Sequence, residues 1–226
     1  MGDSVQTLRT VKSTKSGSIN LEAGDNIQFA VSSRQGRRQS HEDAYVIEAE
    51  LRPFDDGTGD LSPELPRTLP NHALFAVFDG HGTDFASTYT ARNFVPTFSK
   101  QLSFLEYSRK FVKGMEQQSN RTRKKKGKPN SNDNADSNDD NDGEMKFLLS
   151  DAIKSTMIEL DANMLLEMNV RHKNICEEKK GTFTSGDPTE LYFDIFDSGT
   201  TAIIVVLTPQ YVVCANLVSS LKTQDD

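Results

Sequence analysis

The chain has 226 residues, a formal net charge of −7 and 35% hydrophobic residues. This length suits one domain, or one domain with an unstructured insertion, and the acidic balance disfavours a general nucleic-acid binder because phosphate backbones attract positive surfaces. Two cysteines, Cys176 and Cys214, are too few for a disulfide framework and are expected to be reduced, small and buried. No apolar run reaches the roughly 20 residues of a membrane helix, and the first residues lack the apolar core of a signal peptide. These features predict an intracellular protein, cytoplasmic or nuclear.

The first third of the chain predicts a flexible arm followed by strands. Residues 1–24 are polar and rich in Ser, Thr and Gly, which indicates a loose arm, and residues 25–226 then form the domain. Strands are predicted over 27–33 and 44–51. The run 73–78 (ALFAVF) is continuous and apolar, which is typical of a strand buried on both faces.

Helical spacing follows the third predicted strand. Residues 84–95 carry aromatic side chains near helical spacing, with Asp84 as the expected cap and Pro96 expected to end or kink the helix. A second helix is predicted over 145–169, where one stripe of apolar residues indicates a core face. That stripe comprises Leu149, Ile153, Met157, Leu160, Met164 and Met168. Residues 200–218 hold two β-branched runs and predict a hairpin with a three-residue connection.

The segment 118–143 differs in composition from the rest of the chain. Residues 121–128 (RTRKKKGK) are basic, and residues 130–143 are almost wholly Asn, Asp and Ser. Neither part can bury apolar surface, so the composition predicts a disordered insertion. The basic run is either a solvated linker or a localisation or anion-binding patch.

Acidic residues beside predicted strand ends form a pattern typical of a metal site. Glu42 and Asp43 directly precede one strand, and Asp79 with Gly80 ends another. Magnesium and manganese prefer carboxylate, carbonyl and water oxygens, so Glu42, Asp79 and the Gly80 carbonyl form a partial ligand set. An arginine upstream, Arg38, has the planar fork that binds a phosphate oxygen.

Three motifs in fixed order carry a resemblance to a known family. They are RRQSHEDA at 37–44, FAVFDGHG at 75–82 and DSGTTAIIVV at 197–206. Together they resemble the metal-dependent protein serine/threonine phosphatases of the type 2C, or PPM, family over about residues 26–216. The resemblance implies an α+β fold: a four-layer α/β/β/α sandwich of two antiparallel sheets with helices outside each, of which this chain encodes the first half.

The resemblance also implies a role for each site residue. Two Mg²⁺ or Mn²⁺ ions would share Asp79, and one would also bind Glu42 and the Gly80 carbonyl, with Asp43 supporting its waters. Arg38 would hold the phosphoryl group of a phosphoserine or phosphothreonine protein, and His81 would protonate the departing oxygen. A water activated by the ions would attack phosphorus directly, so neither cysteine needs a catalytic role.

The chain departs from the family pattern after the hairpin. Where the family continues Asn-x-Gly-Asp-Ser-Arg, this sequence has Val218, Ser219 and Leu221 at the Gly, Asp and Arg positions. The two later metal-binding aspartates of the family have no counterpart in this sequence. We therefore expect a C-terminally truncated domain with a poorly liganded first ion and impaired phosphatase activity. The alternatives are a catalytically inactive pseudophosphatase or truncated isoform that acts as a binding module and, more remotely, a nucleic-acid or nuclear-import adaptor acting through residues 121–128.

Overall fold

A computed structural model of the chain describes residues 12–20, 26–53, 65–125, 139–179 and 198–218. The strands are β1 (Lys12–Asn20), β2 (Asn26–Arg34), β3 (Ala44–Glu48), β4 (Ala73–Phe78), β5 (Gly80–His81), β6 (Gly199–Thr200), β7 (Ala202–Leu207) and β8 (Val212–Leu217). The helices are α1 (Phe85–Phe98), α2 (Leu102–Lys125) and α3 (Asp139–Lys179). The mixture of antiparallel sheets and helices confirms the predicted α+β class. No helix in the described ranges is long and apolar enough to cross a membrane.

The centre of the fold is a four-stranded antiparallel sheet in the order β3-β4-β7-β8. Its two middle strands, β4 and β7, are rich in apolar and β-branched residues, which pack well on a pleated surface. Side chains alternate between the two faces of a strand, so Leu74, Ala76 and Phe78 all point to one face and all are buried. The opposite face of β4 carries Phe75 and Val77, and Val77 is 49% exposed. The prediction that this strand is buried on both faces is therefore wrong.

A β1–β2 hairpin packs against this second face of the sheet. The ring of Phe29 on β2 meets the ring of Phe75 on β4, with 5.2 Å between the ring centroids. The Lys15 ammonium on β1 donates to the carbonyl of Ile47 on β3 at 3.4 Å. Residues 12–20, which composition placed in a flexible arm, thus form a strand. β1 pairs with β2 along the full length of both strands, and the backbone hydrogen bonds of this pairing stabilise a strand that the polar composition of β1 does not predict.

The three helices cover the first face of the sheet and enclose the main core. Aromatic rings form a continuous row there, with neighbouring centroids 4.5–6.3 Å apart. The row comprises Phe94, Phe98, Phe104, Tyr107 and Phe111. The predicted stripe of α3 faces the same core: Leu149, Ile153, Leu160 and Met168 are all buried, which confirms its interpretation as a packing face.

A buried histidine links the start of β4 to α2. His72 is 1% exposed, its Nδ1 lies 2.8 Å from the Pro70 carbonyl, and its Nε2 lies 2.6 Å from the Tyr107 hydroxyl. A carbonyl can only accept, so Nδ1 carries the proton and Nε2 accepts from Tyr107. Burial lowers the pKa of His72 to about 4, and burial also raises the pKa of Tyr107. Both groups are therefore neutral around pH 7.

Several helix boundaries differ from those read in the sequence. Pro96 lies inside α1, which continues to Phe98, because a proline in the last turn removes only one intrahelical hydrogen bond. The Asp84 side chain makes no cap hydrogen bond, so its prediction as a cap is wrong in that respect. Of the segment predicted to be disordered, residues 118–125 belong to α2 and residues 139–143 belong to α3, whereas 126–138 lie outside the described residues.

The hairpin of β7 and β8 also differs in detail from the sequence prediction. Its connection runs over four residues, 208–211, because the Thr208 hydroxyl accepts hydrogen bonds from the amides of Gln210 and Tyr211 and so closes the turn. Cys214 on β8 is a free, exposed thiol, so the expectation that it is buried is wrong. The physical reason is that β8 is the last strand of its sheet and Cys214 pairs with Val205 on the less covered face. Cys176 belongs to α3, but its side chain is not among those that the structure describes.

Candidate active site

The first two motifs meet at Gly80. The Gly80 amide donates to the carbonyl of Glu42, with 3.2 Å between nitrogen and oxygen. A side chain at Gly80 would collide with that carbonyl and would lie 2.9 Å from the hydroxyl oxygen of Ser87. Only glycine leaves room for the Glu42 carbonyl at this distance. Because position 80 is glycine, the Glu42 backbone can lie beside Asp79 at the end of β4.

The third motif joins the second through a short pair of strands. Residue Gly80 pairs with Thr200, and His81 pairs with Gly199, in the β5–β6 ladder. The Asp79 carbonyl accepts from the Thr201 amide at 2.9 Å, and the Thr200 hydroxyl oxygen lies 3.1 Å from it. The aspartate is thus held at its backbone while its side chain remains exposed.

The direction of the Gly80 carbonyl follows from strand geometry. In an extended strand the N–H and C=O groups of one residue point to the same side. Since the Gly80 amide points to Glu42, the Gly80 carbonyl faces the Glu42 segment, while the Asp79 carbonyl faces Thr201. The Glu42 carboxylate accepts from the Ser40 hydroxyl at 2.6 Å, and Glu42 is partly exposed.

His81 lies directly over the backbone of Gly199. A methyl group at Gly199 would meet the imidazole, with Cε1 at 2.5 Å and Cδ2 at 3.3 Å. The glycine of the DSGTT motif therefore leaves the space that the imidazole of the DGHG motif fills. The ring is positioned by this packing, and His81 remains partly exposed.

Arg38 and Asp43 lie on the loop between β2 and β3. The amide group of Gln35 shapes this loop by donating to the carbonyls of Arg38 and Gln39, at 2.9 and 3.0 Å. Both Arg38 and Asp43 are exposed, and Arg38 forms no ion pair with any residue that the structure describes. The Arg38 side chain is therefore open to solvent.

The donors around Gly80 belong to the class that a hard divalent cation prefers. Within the described ranges, no group of three or more His, Cys, Asp or Glu side chains could hold a metal ion. Magnesium is commonly held through one or two carboxylates, with waters and a substrate phosphate completing its octahedron. Two carboxylates, Glu42 and Asp79, and one carbonyl, Gly80, fit that kind of open site better than a closed cage.

Two serines that the sequence analysis did not assign to the site connect this region to α1 by hydrogen bonds. Ser198 accepts from the Ala86 amide at 3.0 Å and lies 3.3 Å from the Thr83 carbonyl, so it caps α1 in place of Asp84. Ser87 donates to the Glu42 carbonyl. Ser198 stands inside the third motif, which could have pointed to it, whereas no sequence signal marks Ser87.

One sequence relative supports the resemblance carried by the motifs. No family model matches the chain. It is 37% identical over 81 residues to protein phosphatase 2C homolog 2 of Hypocrea jecorina, and the match covers 35% of this chain and 17% of that protein. A solved structure, serine-threonine phosphatase 2C from Toxoplasma gondii, is 16% identical, with a TM-score of 0.33 over 95% of this chain and 56% of that one.

The curated relative confirms the predicted resemblance to the type 2C protein phosphatases. The match covers 17% of the length of the Hypocrea protein and 56% of the Toxoplasma chain, so this chain spans less than two thirds of either. The α+β assignment rests on the strands and helices of the chain itself.

Proposed function

We propose that this chain carries the phosphate-binding and metal-binding side of a metal-dependent protein serine/threonine phosphatase. The observation that supports this most directly is the junction at Gly80, where the HEDA, DGHG and DSGTT motifs are joined by backbone hydrogen bonds. Motifs that lie far apart in the sequence thereby contribute to one small region. Its substrates would be phosphoserine and phosphothreonine proteins.

Each residue has a role that its position supports. Glu42, Asp79 and the Gly80 carbonyl would hold Mg²⁺ or Mn²⁺, and Asp43 would hydrogen-bond water beside them. The bound ions would supply an acidified water and neutralise charge that develops at phosphorus.

The phosphoryl group and the leaving oxygen require other groups. Arg38 would bind phosphoryl oxygens through its guanidinium fork, which suits a residue that is exposed and without an ion pair among the described residues. His81, oriented by its packing on Gly199, would give a proton to the departing serine or threonine oxygen.

We further infer that the 226-residue chain by itself turns over slowly. Two carboxylates and one carbonyl are few ligands for a pair of ions that must be held together. Loss of one ion would remove several kcal/mol of electrostatic stabilisation of the transition state. Each ~1.36 kcal/mol of that loss lowers the rate tenfold. The shortage of gathered acidic side chains in the described ranges supports the second candidate, a phosphate-binding module without turnover.

The test is hydrolysis of a phosphothreonine peptide by the purified chain during a Mn²⁺ titration. We expect slow, Mn²⁺-dependent release of phosphate that Asp79→Asn and Glu42→Gln abolish. Asp161→Asn, which changes an exposed aspartate of α3, is the matched control and should leave the rate unchanged. Peptide binding without any release of phosphate would favour the binding module, and release that survives Asp79→Asn would refute the assignment.

A further inference from the structure

One buried hydroxyl contacts the candidate metal site from α1. Ser87 lies in the first turn of α1 and is 0% exposed. Its hydroxyl donates to the carbonyl of Glu42, which is 45 residues away in sequence, and lies 3.2 Å from the Asp84 carbonyl. A serine has a single hydroxyl proton, and the Glu42 carbonyl is the closer acceptor.

The Glu42 carbonyl therefore receives two hydrogen bonds from two different elements. The Gly80 amide donates to it from β5, and the Ser87 hydroxyl donates to it from α1. A carbonyl oxygen has two lone pairs, so both are used. Glu42 precedes β3 and has no strand ladder of its own to hold it. These two bonds fix the backbone position from which the Glu42 carboxylate extends.

We propose that Ser87 is a positioning residue for Glu42 in the metal site. The inference rests on the proposed function, because it concerns a carboxylate assigned there to a divalent ion. The role is indirect: Ser87 holds the backbone of a ligand at a fixed place relative to Asp79 and Gly80. Groups that orient metal ligands in this way typically contribute about 10–100-fold to metal affinity.

The test compares two buried serines by Mn²⁺ binding, measured by electron paramagnetic resonance of free Mn²⁺. Ser87→Ala should weaken Mn²⁺ binding about 10-fold or more. Ser108→Ala is the matched control, since Ser108 is also 0% exposed and donates to a backbone carbonyl, that of Phe104, at 2.7 Å within α2. It loses the same kind of hydrogen bond and should bind Mn²⁺ as the wild type does.

Two further measurements keep the outcome decisive. Ser87→Cys keeps the length and branching of the side chain but replaces the hydroxyl by a weaker donor. It should also weaken Mn²⁺ binding, and it serves as the second variant if Ser87→Ala does not fold. Amide exchange at Gly80, followed by NMR without metal, should be faster in the Ser87 variants and unchanged in Ser108→Ala. Wild-type affinity and unchanged Gly80 exchange in the Ser87 variants would overturn the positioning role alone. A wild-type chain that binds no Mn²⁺ would instead overturn the metal site and this inference with it.

Discussion

Replacing Gly80 by alanine tests the contact that brings two motifs together. The new methyl group would overlap the Glu42 carbonyl oxygen, which is backbone and cannot rotate away, and would lie 2.9 Å from Ser87 Oγ. Overpacking of this kind costs about 1–3 kcal/mol, and the displaced amide-to-carbonyl hydrogen bond adds about 1 kcal/mol. Reduced freedom of the unfolded chain offsets about 0.4–1 kcal/mol. The expected net destabilisation is about 1–3.5 kcal/mol when these contributions are summed.

A second glycine supplies the control of opposite sign. Gly114 lies within α2, and a methyl group there would meet nothing within 4 Å. Gly114→Ala should therefore stabilise the chain by about 0.5–1 kcal/mol through helix propensity. Urea unfolding followed by circular dichroism measures both variants. A Gly80→Ala protein as stable as the wild type would show that the Glu42 segment does not approach Gly80 as described.

Three other outcomes are expected. The folded chain holds the pKa of His72 near 4, and unfolding returns it to about 6.5, so the unfolded state binds an extra proton between these values. The free energy of unfolding is therefore highest above about pH 6.5. It should fall by about 2 kcal/mol from about pH 7.5 to about pH 5. Urea unfolding at the two pH values should show a smaller fall in His72→Gln, and an equal fall would contradict this account. Gly199→Ala should displace the His81 ring, visible as a changed His81 NMR shift, with a smaller loss of stability than Gly80→Ala because a side chain can move. In a Cys176→Ser background, the exposed Cys214 thiol should react with a thiol reagent without denaturant, and a thiol that reacts only in urea would contradict its exposure.

The positions of β2, β3, β4, β7 and β8 and of the α3 core stripe could be predicted from local patterns. Continuous β-branched runs gave β7 and β8, and the recurrence of Leu149, Ile153 and Leu160 at helical spacing gave the buried face of α3. These patterns work because the side-chain period of an element is set by its own backbone geometry. The strand β1 was not predicted because its residues are mostly polar. It is stabilised by pairing with β2, which its own composition does not reveal.

The sequence by itself determined the identities of the candidate site residues, since Glu42, Asp79 and His81 stand in motifs that can be recognised from residue type and order alone. Their arrangement was decided by the tertiary structure. Only the folded chain shows that Gly80 is glycine because the Glu42 carbonyl approaches it, and that Ser87 donates to that same carbonyl. These contacts join residues far apart in sequence, and their geometry depends on the register of β5 with β6 and on the packing of α1, neither of which any local pattern encodes.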